Sequence, residues 1–114
     1  MGTVADTAIR SSNAARQNRW QGRSGHVYGL VTENLSSFAM DEAGLYLVAK
    51  GSHVLWVGSA ADLVADPMSR SRFRLALDLG DRAFRLAAPP PETERWTTIW
   101  DLEGAEPRAE AVAA

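Results

Sequence analysis

The chain has 114 residues, 46% of them hydrophobic, with 12 basic and 14 acidic residues and a formal net charge of −2. This length fits one domain with a modest core. The absence of cysteine excludes disulfides, thiolate metal sites and cysteine nucleophiles, the two histidines (His26 and His53) are too far apart for a His-rich metal site and lie in no triad-like pattern, and no apolar run approaches the roughly 20 residues of a membrane helix.

Residues 1–24 are polar with weak apolar periodicity and read as a mobile basic arm, with a short helix over Thr7–Asn18. Four Arg and one Asp fall within residues 1–25. With no apolar signal core at the N-terminus, a cytoplasmic protein is expected. Trp20, just ahead of the domain, either folds back onto the sheet or anchors a protein partner. Gly25–Val31 alternates as a strand, and Thr32–Ser37 is a polar connection.

Gly44–Gly58, with the sequence GLYLVAKGSHVLWVG, reads as two apolar strands joined by the turn Lys50–His53, with Gly51 free to take a positive φ. Both faces of this hairpin are apolar, which predicts a central position covered on both sides. Ser59 caps a helix beginning at Ala60, and Pro67 interrupts it. A second helix runs from Pro67 or Met68 to about Leu79, with Met68, Phe73, Leu75, Ala76 and Leu79 as its apolar face and Gly80 as its stop. Arg82–Ala88 is a third core strand with Phe84 and Leu86 on one face. After the stiff Pro89–Pro91, Glu92–Glu103 forms a last helix whose Trp96, Ile99 and Trp100 fall at helical spacing and face the core. Trp96 or Trp100 becomes a protein-binding anchor if it is exposed. The sum is an α+β fold: a small, mainly antiparallel sheet of three to four strands flanked by helices. Residues 25–107 form the domain, and 108–114 a frayed tail.

The two glycine-flanked aromatics of the hairpin give this region a family likeness. Gly44-Leu45-Tyr46 followed by Trp56-Val57-Gly58 resembles the core hairpin of the GIY-YIG nuclease family. Ser59–Leu63 then matches that family's exit into a helix through a small, polar stretch with a leucine five residues after the glycine. The resemblance covers about Gly25 to Pro107 and implies the order hairpin, helix, strand, helix. It also implies a catalytic set of two tyrosines, an arginine, a further histidine or tyrosine, and a glutamate holding one divalent metal. Tyr46 matches the first tyrosine. Trp56 stands at the second, where an indole can donate one hydrogen bond but cannot accept a proton. Asp66, followed by Pro67, stands at the arginine position, and the next position falls near Arg70. Thr98 stands at the glutamate, with Glu94 one turn too early and Glu103 more than one turn too late.

The resemblance therefore implies a catalytically inactive relative that works as a binding or regulatory module on DNA or a DNA-associated protein. Arg70, Arg72 and Arg74, with Arg82 and Arg85 beyond, are the expected nucleic-acid contacts, set against interleaved Asp66, Asp78 and Asp81. One alternative is a divergent endonuclease that uses Tyr46, a helix arginine and a displaced acid with Mg²⁺. Another is a protein-interaction accessory protein using Trp20, Trp96 or Trp100. No cofactor is expected outside the Mg²⁺ of the nuclease alternative, and no membrane partner is expected.

Overall fold

A single antiparallel sheet organises the chain, as described by a computed structural model for residues 18–108. The strands are β1 (Asn18–Gln21), β2 (Val27–Glu33), β3 (Tyr46–Lys50), β4 (His53–Gly58), β5 (Arg82–Leu86) and β6 (Glu106–Pro107). Helices α1 (Ala60–Ala65) and α2 (Pro67–Leu79) lie between β4 and β5, and α3 (Arg95–Glu103) lies between β5 and β6. The α+β class stands, but the sheet has six strands rather than three to four, in the order β4-β3-β5-β2-β1-β6.

The two added strands correct the domain boundary. β1 pairs with β2 from Asn18↔Leu30 to Gln21↔Val27, and β6 pairs with β1 through Trp20↔Pro107. Residues 18–24 are thus a strand and its turn, not part of an arm. Asn18 opens β1, and the rest of the expected Thr7–Asn18 helix lies outside the described residues, as does most of the expected tail. Trp20 is 1% exposed and meets Phe84 edge-on at 5.6 Å, so it belongs to the core and is no docking anchor.

The hairpin β3–β4 forms as its sequence dictates. Gly51 and Ser52 make the turn between the paired Lys50 and His53, and Gly51 has φ +58°, a region that suits glycine. β3 is central, but β4 is an edge strand whose faces are covered by helices on either side. On one face Trp20, Leu30, Leu47, Phe84, Ile99 and Leu102 pack beneath α3. On the other, Tyr46, Val48 and Trp56 meet Phe73 and Ala76 of α2 and Phe38 of the preceding loop. Each large apolar side chain buried here contributes about 1.5–3 kcal/mol.

Both long helices are rotated relative to their expected faces. α2 rests on Phe73, Ala76 and Leu77, while Met68, Leu75 and Leu79 face solvent. Ser69, one turn before Phe73, accepts a hydrogen bond from the Trp56 indole, and small Ala76 lets the helix sit close over Val48. α3 buries Thr98, Ile99, Asp101 and Leu102 and leaves Trp96 68% and Trp100 52% exposed. Its rotation is fixed by polar ties at both ends, Arg95 to Asp62 and Asp101 to Ser24 and Tyr28.

Candidate functional site

Tyr46 and Trp56 come together on the face under α2, and each has its polar atom engaged. The Tyr46 hydroxyl is buried and accepts the Asp41 backbone N–H at 2.7 Å, while its ring meets Phe38 edge-on. The Trp56 indole N–H donates to Ser69 Oγ at 3.0 Å. Asp66 caps α2 by accepting the Met68 N–H at 3.0 Å, with Pro67 at the first helical position, where its missing donor costs nothing. Thr98 is buried on α3, the helix that covers the opposite sheet face, and does not join Tyr46 and Trp56.

The expected arginine patch is divided among several tasks. Arg70 donates to the Leu63 carbonyl at 2.7 Å and more distantly to that of Val64, satisfying the last turn of α1. Arg85 pairs with Glu33 at 3.0 Å. Arg72, Arg74 and Arg82 are exposed, and among the described residues none of them has a carboxylate within ion-pair distance. Two of the acids interleaved with them are otherwise occupied: Asp66 as a cap, and Asp81 in accepting the Gly51 N–H at 3.1 Å.

Two polar networks were not anticipated. In the first, Ser59 and Asp62 form a capping box at the start of α1, and Arg95 from the start of α3 reaches both, Ser59 Oγ at 2.9 Å and Asp62 Oδ1 at 2.5 Å. The signal for the box was present in the spacing Ser59-x-x-Asp62. In the second, the buried Asp101 carboxylate accepts the Ser24 N–H and hydroxyl, each at 2.7 Å, and the Tyr28 hydroxyl at 2.6 Å. Burial opposes ionisation of Asp101, but these hydrogen bonds and the nearby His26 outweigh it and hold the group below the usual carboxylate range. Burial, reinforced by the Asp101 hydrogen bond and charge, raises the Tyr28 phenol above its ordinary value. Only glycine fits at position 22, because a Cβ there would lie 2.5 Å from the Asp101 carboxyl carbon.

A groove of about 320 Å³ with β4 as its floor lies beside these elements. Ser69 and Arg72 of α2 line one wall, Trp96, Ile99 and Glu103 of α3 the other, and Asp66 lies at the α1–α2 junction. Trp96 is held against the Arg95 guanidinium, 4.7 Å from the ring centre. Because β4 ends the sheet, its outward N–H and C=O groups have no backbone partner among the described residues. A hollow of about 530 Å³ lies on the far side of Asp62, where the Arg95 charge is already matched. Among the described residues no group of three or more His, Asp or Glu is placed to hold a metal ion, and no helix is long and apolar enough to cross a membrane. Comparison of the chain with protein-family models, with curated proteins and with solved structures finds no match.

Proposed function

We propose that this chain is a non-catalytic GIY-YIG-like domain, a cytoplasmic binding or regulatory module that acts on DNA or on a DNA-associated protein. The family reading is supported by element order, since β3, β4, the α1–α2 pair, β5 and α3 follow one another as hairpin, helix, strand and helix. The observation that carries the loss of catalysis is the Tyr46 hydroxyl. A tyrosine that activates or orients water must present its oxygen to that water, and here the oxygen is buried against the Asp41 N–H. Asp66, at the position of the phosphate-binding arginine, is an anion engaged as a helix cap.

On this reading DNA is met by Arg72, Arg74 and Arg82, with Arg70 engaged in holding α1. The test is fluorescence anisotropy of a labelled duplex titrated with the protein in Mg²⁺ at two salt concentrations. The expected result is a stable rise that weakens steeply with salt and in Arg72→Ala and Arg74→Ala. A fall in anisotropy with time, abolished by Tyr46→Phe, would establish the divergent Mg²⁺-dependent endonuclease instead. A second reading, a module for a protein partner alone, is favoured by the exposed Trp96 beside a sheet edge that is unpaired among the described residues.

A further inference from the structure

We infer that the open edge of β4 receives an extended segment of a partner protein, which adds to the sheet as a further strand and carries a basic side chain toward Glu103. The inference rests on the reading of this chain as a binding module and names the class of its partner. An edge strand offers alternating N–H and C=O groups, and a second extended backbone satisfies such a row. Strands exposed this way are commonly protected by proline, lysine or a bulge, and β4, with the sequence HVLWVG, has neither proline nor lysine. It does contain a bulge: the register shifts between Val48 and Ala49, leaving Leu55 as the extra residue. The bulge confines a new ladder to a few residues, which suits a short linear segment.

The groove walls decide the occupant. Residues of α2 and α3 stand on either side of the β4 edge, so an occupant enters between two helix walls. A single extended chain is the narrowest occupant that offers a matching row of backbone groups. Charge narrows its chemistry. With Asp62 neutralised by Arg95, the groove retains Asp66 and Glu103 against Arg72, and Glu106 lies beside Glu103 at the His53 end of the strand. This excess of negative charge selects a lysine or arginine on the incoming segment. Trp96, exposed on the wall and stacked on Arg95, supplies the rigid apolar contact for the side chain that follows two residues on.

The test is selection from a phage-displayed library of random linear octapeptides against the immobilised full chain, followed by anisotropy titration of the enriched peptides. The expected peptides alternate β-branched residues with lysine or arginine. Their Kd loosens at least about fivefold for Trp96→Ala and for Glu103→Lys, and about tenfold when alternate peptide nitrogens are methylated. Their NMR shift changes centre on the amides of Val54–Val57. No enrichment, binding indifferent to Trp96→Ala and backbone methylation, or shifts centred on β1 and β6 would overturn the inference. So would a concentration-dependent dimer with shifts at β4, which assigns the edge to a second copy. The DNA titration above separates the failures: DNA binding without peptide binding sinks the groove inference alone, and DNA cleavage sinks the non-catalytic reading.

Discussion

Asp101 gives up its water for three hydrogen bonds from Ser24 and Tyr28, and its folded form is therefore more acidic than its unfolded form. Its contribution to stability is complete above the unfolded value, about 4, and is lost as pH falls through the lower folded value. Tyr28 works in the opposite direction. Its raised phenol stabilises the fold below the unfolded value of about 10, and that contribution is lost as pH rises beyond it. Asp101→Asn removes the charge and leaves one acceptor oxygen where two now accept, and it should cost about 1–3 kcal/mol at neutral pH. Thermal melting of both proteins from pH 2 to 7 checks this: the native chain should lose Tm more steeply below pH 4 than the variant. The tryptophans make a second contrast at this scale. Trp20→Ala empties a buried site and should cost about 3–5 kcal/mol, whereas Trp96→Ala should stay within about 0.5 kcal/mol. Urea denaturation separates the two.

Among the elements, the start of α1 and the start of α3 act as one joint. Ser59 caps α1 and also receives Arg95, so Ser59→Ala should cost about 1 kcal/mol for the cap and more through the arginine left with one partner. The excess is read from a double-mutant cycle with Arg95→Met, and strict additivity would show the joint to be idle. This part of the chain was largely legible beforehand. Gly51 marks the turn, Ser59 the cap, Pro67 the new helix and Gly80 its end, because each residue type has a local backbone reason to be there. β1 and β6 were not legible. Asn18–Gln21 is short and polar apart from Trp20, and Glu106–Pro107 is two residues, so neither shows a period; pairing with β2 and with each other makes them strands. The face of α3 was misread because Trp96 and Trp100 dominate any apolar periodicity. The face that packs instead includes Thr98 and Asp101, whose burial depends on partners distant in sequence. The candidate site was legible only in part: Tyr46 and Trp56 were rightly placed on the hairpin, but the engagement of their polar atoms by Asp41 and Ser69 is tertiary.

For the molecule as a whole, strand order matters more than any one contact. β1–β2 and β3–β4 are each local hairpins, and they share no ladder. β5 lies between them, pairing Leu30↔Leu86 through Glu33↔Ala83 on one side and Tyr46↔Arg85 through Ala49↔Arg82 on the other. The order of strands thus becomes a constraint on how the chain can fold. Closing the long connections to β5 is entropically costly and comes before most of the core can form, so β5 is expected in the folding nucleus. Phe84→Leu should slow refolding, with a φ-value above about 0.5 in stopped-flow chevrons, while Leu77→Ala on α2 should act mainly by speeding unfolding. Isolated hairpins are marginal in water. A nascent chain released from the ribosome only as far as Asp81 holds two such hairpins and no continuous sheet, with the facing edges of β2 and β3 open to foreign strands until Arg82–Leu86 emerges and joins them.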